Sequence, residues 1–216
     1  MIVHNVEQRS PEWHALRCGR VTGSCADAIL KVRQRGSGEL AVRRDLRQRL
    51  IVERLTGVPA DDIPYKGKDL QHGIDTEPEA VIAYEAAQSE IVTRIGFVSH
   101  DRLMAGCSPD GCIGEWEGCI EVKCPASETH WDYVKADAVP ADYYPQLVHT
   151  LWITGAPWVD FISYDPRFLD TTKRLFIKRL TRDGIDFTAY ELAVSLFLSE
   201  VDKEVAVLAP QEEAVF

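Results

Sequence analysis

Few folds accommodate the run Cys119-Ile120-Glu121-Val122-Lys123-Cys124. In an extended strand successive side chains point to opposite faces. Glu121 and Lys123 therefore share one face, while Ile120, Val122 and Cys124 take the other. Such a strand either forms the wet edge of a sheet or lines a site. Upstream, Met104 to Cys107 is apolar, Asp110 follows, and Gly111, Gly114 and Gly118 supply a turn, so the whole stretch from Met104 to Pro125 reads as a hairpin. If that hairpin sets Asp110 beside Glu121, two carboxylates repel unless a proton or a divalent cation stands between them. The neighbouring lysine favours the cation.

Pro109-Asp110 followed by Glu121-x-Lys123 resembles the PD-(D/E)xK nuclease motif. The chemistry explains why these residue types occur together. Hydrolysis of a phosphodiester needs an activated water and a tolerated build-up of negative charge, and hard cations held by oxygen ligands supply both. Asp110 and Glu121 are the expected ligands, with a backbone carbonyl near Val122 as a third. Lys123 is expected to orient the water and offset developing charge. An ordinary hairpin with a surface Glu/Lys pair is the plain alternative for a bare E-x-K. The Ser-Pro-Asp-Gly context and the glycine turn weigh toward a site.

A chain of 216 residues that is 45% hydrophobic can bury a full core as one domain. We expect a helical part over about 1–90, a core over about 91–182 and a terminal amphipathic helix over about 183–208. No run is long and apolar enough for a membrane helix, and Glu7, Arg9 and Glu12 argue against a signal peptide, which predicts a cytoplasmic protein. In that compartment the six cysteines read as thiols or metal ligands. Net charge is −10, yet Lys31 to Arg54 holds eight basic residues against three acidic ones, and Asp183 to the end holds eight acidic residues and one lysine. One basic surface for a polyanion is one reading of this segregation, and the solvated face of an amphipathic helix over Arg43 to Arg54 is the other.

Along the chain, Ser10 caps a short helix that begins at Pro11. Val21-Thr22-Gly23-Ser24 leads to a second helix from Cys25 to Leu30, with Ser24 at its cap. With Arg17 and Arg20 nearby, that helix start is a competent phosphate site or simply a capped helix. Leu40 to Leu55 is helical and stops at Gly57. A short helix is expected at Lys66 to Gln71, and a longer one opens at Thr76-Glu77, where Glu77 suits the dipole or points toward Asp110. Ile91 to Val98 reads as one strand and Leu103 to Cys107 as the next. Helices at Ser127 to Ala136 and about Asp142 to Thr154 follow, the latter carrying Gln146. Trp158 to Tyr164 and Leu175 to Leu180 are strands, and helix resumes after Asp183.

Several separated pieces together resemble the lambda exonuclease and YqaJ-type viral recombinase family of nucleases. They are Trp13-His14-Ala15-Leu16-Arg17-x-Gly19 with Val21-Thr22-Gly23-Ser24; Gly73 with Glu77; Cys107-Ser108-Pro109-Asp110-Gly111; Glu121-x-Lys123-Cys124-Pro125; Gln146 with Trp152; and Tyr164-Asp165-Pro166-Arg167. The resemblance implies an α/β fold with a restriction-endonuclease-like core, a mixed central sheet flanked by helices. It implies magnesium, with manganese able to substitute, held by Asp110 and Glu121 with Val122 and Glu77 assisting, and Lys123 as the catalytic lysine. It assigns Arg17, Ser24, Ser108 and Gln146 to a pocket for the 5′-phosphate of a duplex DNA end, and places DNA contacts near Arg33 and Arg35. It further implies a homotrimeric ring in the cytoplasm of a bacterial host cell. Such a ring would resect the 5′-ended strand and leave a 3′ overhang for a single-strand annealing recombinase.

Two rivals differ from this expectation. Cys107, Cys112, Cys119 and Cys124 surround the same hairpin and could form a four-cysteine metal site in a non-catalytic DNA-binding module. Their wide spacing and the strand alternation of Cys119 and Cys124 argue against it. A restriction-type endonuclease keeps the chemistry and changes the substrate, and it would lack any preference for phosphorylated ends.

Overall fold

The computed structural model describes residues 1–31, 38–60 and 68–208, with no side-chain detail for 68–70. Arg33 and Arg35 lie outside the described residues. Two mixed sheets organise the chain. The larger joins β3 (Val92–Thr93), β6 (Gly111–Ile113), β7 (Gly118–Lys123), β8 (Trp158–Tyr164) and β9 (Leu175–Thr181) in that order. The smaller runs from β1 (Ile2–His4) through β4 (Phe97–Ser99) and β5 (Ala105–Cys107) to β2 (Val21–Thr22). In the larger sheet only β7 and β8 are parallel. Parallel neighbours cannot be joined by a hairpin, so the chain crosses over through α5 (Ser127–Ala136) and α6 (Tyr144–Thr154).

The strand expected over Ile91 to Val98 is divided between the two sheets. Val92–Thr93 pairs with β6, whereas Phe97–Ser99 pairs with β1 on one side and β5 on the other. The switch falls at Gly96, where a Cβ would come within 2.1 Å of the Val6 carbonyl oxygen. Only glycine permits so close a backbone approach.

β7 lies at the centre of the larger sheet and is covered on both faces, not at a wet edge. Ile120, Val122 and Cys124 pack against Ala80, Val81 and Tyr84 of α4 (Lys68–Gln88). Cys119, on the opposite face, packs with Leu147 and Leu151 of α6. Leu147 through Thr154 are all buried, so α6 forms a core helix rather than a surface one. Cys119 and Cys124 thus lie on opposite sides of the sheet.

Three local expectations are corrected. α4 is one helix through Gly73 and Pro78, so Glu77 sits in its interior and gains nothing from a helix start. Ser24 caps no helix. It belongs to a 3₁₀ turn, Gly23–Cys25, in which the Thr22 N–H donates to Cys25 Sγ (3.3 Å), and α2 (Ala26–Leu30) follows. The basic segment is neither an open patch nor a plainly solvated face. Along α3 (Ala41–Thr56), Arg43 reaches Glu200 (2.8 Å), Arg47 reaches Glu204 (3.0 Å) and Arg54 pairs with Asp202, all on α7 (Phe187–Leu208). Much of the charge segregation seen along the chain is therefore neutralised inside it.

Among the described residues, no helix is long and apolar enough to cross a membrane.

Candidate active site

Asp110 follows β5 and the turn Ser108-Pro109, and its backbone N–H donates to the Ile120 carbonyl (3.1 Å), which docks it on β7. Its side chain then does what a strand residue would do. Oδ2 accepts from the Val122 N–H at 2.7 Å, between Glu121 and Lys123.

Glu121 is 3% exposed. Its Oε1 receives the Lys123 ammonium and the Gln146 amide, the latter at 2.6 Å. Lys123 also stands 5.3 Å from the ring centre of Tyr143, just ahead of α6. Asp110, Lys123 and Tyr143 line an open cavity of about 260 Å³ together with Arg9 and Glu77, among others, while Glu121 lies buried behind Lys123. Burial and the Glu121 charge, with a smaller contribution from Glu77, lift the Asp110 carboxyl to about 7, against relief from Lys123 and the Val122 N–H. Burial works against the Lys123 ammonium. The adjacent Glu121 and Asp110 outweigh it and hold the lysine above its ordinary value.

Glu77 faces the same cavity from α4, with both its oxygens engaged. Arg94 Nη1 donates to Oε1 at 2.6 Å, and Arg9 Nη2 lies 3.6 Å from Oε2.

The residues expected to bind phosphate fall into two linked groups. Arg17 ends α1 (Pro11–Arg17) and lies 4.0 Å over the Trp13 ring, and the Trp13 indole N–H donates to Ser108 Oγ at 2.8 Å. Gln146, which donates to Glu121, also packs on the 3₁₀ turn: a Cβ at Gly23 would stand 3.2 Å from its Cγ. Ser24 is exposed on that turn, with its Oγ 3.3 Å from Thr22 Oγ1. Arg17 also lines a narrow cleft with His14, Arg20, Thr22 and Arg49. The backbone just after it is tied down by Glu53, whose buried carboxylate accepts from Gly19 N–H at 2.7 Å.

Sequence reasoning missed Arg9, Arg94, Tyr143 and Glu53. A carboxylate in the last turn of a basic helix is the available sign of Glu53. Nothing local marks Arg94.

Among the described residues, no three His, Cys, Asp or Glu side chains converge as a ready metal cage. A smaller donor set suits magnesium, which binds through one or two carboxylates and keeps its remaining positions for water and substrate oxygens. Asp110 and Glu121 would supply such a set. Their mutual repulsion, expressed in the raised Asp110, is what a cation would relieve.

A central strand bearing carboxylate and lysine, in a mixed sheet flanked by helices, defines a restriction-endonuclease-like α/β protein. The YqaJ-like viral recombinase domain matches residues 12–157, and the chain belongs to that family. Its structure is similar to an alkaline exonuclease, LHK-Exo, from Laribacter hongkongensis. The two share a TM-score of 0.80 and 34% identity over 92% of this chain and 96% of that one. The complex of LHK-Exo with dAMP matches with a TM-score of 0.81, at the same identity and coverage. A phage-related exonuclease from Haemophilus somnus 129PT shares the fold at 13% identity and a TM-score of 0.61, over 88% of this chain and 96% of that one. No curated protein sequence matches the chain.

Proposed function

We propose that this protein is a magnesium-dependent exonuclease that degrades the 5′-ended strand of linear duplex DNA. The observation that carries the reading is the Asp110 carboxylate bonded to the Val122 N–H, between Glu121 and Lys123, at the wall of an open cavity. Family membership and the likeness to an alkaline exonuclease support a nuclease.

Asp110 and Glu121 would hold the cation, with the Val122 backbone beside them and Glu77 adding negative charge from α4. When bound, the ion supplies Lewis-acid stabilisation and a water of lowered pKa. Manganese is expected to substitute. Glu121 and Asp110 hold the Lys123 ammonium above its ordinary value, which suits it to act as donor and counter-charge. It orients the water that attacks phosphorus and stabilises charge on the phosphoryl oxygens as the bond to the leaving 3′-oxygen breaks. Gln146 fixes the Glu121 carboxylate through Oε1.

Arg17, Ser24, Ser108 and Gln146 are assigned to a 5′-phosphate pocket, which would start degradation at a phosphorylated end. A homotrimeric ring around the duplex and delivery of the 3′ overhang to a single-strand annealing protein complete the reading. Digestion of linear duplex with and without a 5′-phosphate, in magnesium and in chelator, tests reaction, cofactor and end recognition together. Loss of 5′-phosphorylated strand in magnesium alone is expected. Equal cutting of covalently closed circles would favour an endonuclease instead.

A further inference from the structure

Glu77 faces two arginines where one would neutralise it. Arg94 gives only Nη1 to protein acceptors among the described residues, namely Glu77 (2.6 Å) and the Asp110 carbonyl (3.4 Å), and its side chain is 48% exposed. Arg9, among the described residues, makes only the longer ion pair at 3.6 Å and is 51% exposed. Arg9 and Glu77 line the cavity and Arg94 stands beside it, so these three side chains together carry a net positive charge there on a chain whose total is −10.

The pair is also built into place. Gln8, next to Arg9, donates its amide to the carbonyls of Ile95 (2.8 Å) and Pro109 (3.1 Å), the neighbours of Arg94 and Asp110. Arg9 itself holds a left-handed backbone (φ +69°), which a non-glycine residue adopts at a cost. An idle surface arginine has no need of that conformation. Here it accompanies the turn that brings the side chain to the Glu77 carboxylate.

The geometry points to Arg9 and Arg94 as a two-guanidinium clamp for the backbone phosphates of the DNA strand lying across the cavity beside the bond to be cut. Guanidinium groups suit phosphate because their N–H donors match its oxygens in pairs. Before DNA binds, Glu77 holds both side chains beside the cavity. When the strand arrives, the phosphates replace that weaker and partly solvated pairing. This role rests on the nuclease reading above and assigns two residues to it that the motifs do not contain.

The test measures the affinity of wild type and of Arg9→Gln/Arg94→Gln for a 5′-phosphorylated linear duplex across a range of potassium chloride, with calcium replacing magnesium. Removing one arginine–phosphate ion pair lowers the slope of log affinity against log salt by about 0.9. The double variant should thus bind at least about tenfold more weakly at low salt, with a slope shallower by about 2. Should the double substitution unfold the chain, Arg94→Gln alone carries the test with a fall of about 1.

A folded variant with the wild-type slope overturns the clamp while leaving the nuclease reading intact, provided the wild type degrades DNA. A wild type that neither binds nor degrades duplex DNA removes the nuclease reading and the clamp with it.

Discussion

The Asp110 carboxylate accepts the Val122 N–H at 2.7 Å, so this candidate ligand, which precedes β6, is locked to β7 between Glu121 and Lys123. Asp110→Asn keeps an acceptor for this bond and removes only the charge. We expect a folded protein with nuclease activity reduced at least about 100-fold, since the proposed cation would need the ionised oxygen as a ligand. Unfolding curves and a digestion assay on the same preparation check both halves.

The same contact carries a pH dependence. Asp110 is raised to about 7 by burial and by Glu121, so between an unfolded carboxyl's ordinary value and about 7 the native state binds the extra proton. The Asp110 contribution to stability in chelator should therefore fall as pH rises from about 4 through about 7, and it is read as the difference between wild type and Asp110→Asn. Asp110→Asn should flatten that fall, and added magnesium should reduce it. Thermal melts in which the difference between wild type and Asp110→Asn stays constant across this range would contradict a raised Asp110.

Lys123 neutralises a glutamate that is 3% exposed. Lys123→Met leaves that charge with only the Gln146 amide, and breaking a buried pair from one side costs about 3 kcal/mol. Lower stability together with lost cleavage is expected. A variant as stable as wild type by denaturant unfolding would show that the pair is solvated.

Deep in the core, His149 donates Nε2–H to the Gly106 carbonyl (3.0 Å) and meets the Tyr190 hydroxyl through Nδ1 (2.8 Å). Burial, only partly offset by the Gly106 bond, lowers its pKa to about 4. The unfolded chain binds a proton below about 6.5 that the native state refuses, so stability is present at neutral pH and is lost as pH falls from about 6.5 to about 4. The loss amounts to about 3 kcal/mol. Denaturant midpoints of His149→Gln, which cannot take up that proton, should vary less over this range.

Arg43 and Arg47 are paired with Glu39, Glu200 and Glu204, so they are occupied rather than offered to DNA. Arg43→Ala/Arg47→Ala should lower stability by about 1 kcal/mol, less so at high salt, and leave the salt slope of DNA binding unchanged. A shallower slope would return the helix to the DNA surface.

What could be read from the sequence was local. Asp110, Glu121 and Lys123 fall on one hairpin, where strand alternation and a glycine turn decide which side chains meet, and the structure brings them together as the spacing implies. Glu77 was misplaced within its helix because Gly73 and Pro78 punctuate the pattern, whereas packing of Ala80, Val81 and Tyr84 on β7 holds α4 in one piece. The α3 arginines were illegible because Arg43 finds Glu200 at a separation of 157 residues, and no window along the chain contains both. Arg94 was hidden for a related reason. It sits where the chain leaves one sheet for the other, a break set by the approach of Val6 to Gly96.

A single divalent ion shared by Asp110 and Glu121 is what the proposed chemistry requires above all. Titration of manganese into the metal-free protein, followed by the loss of the free-ion electron paramagnetic resonance signal, measures this without DNA or turnover. Saturable binding by wild type, and its loss in both Asp110→Asn and Glu121→Gln, is the expected result. Binding that survives in either variant would contradict the shared site.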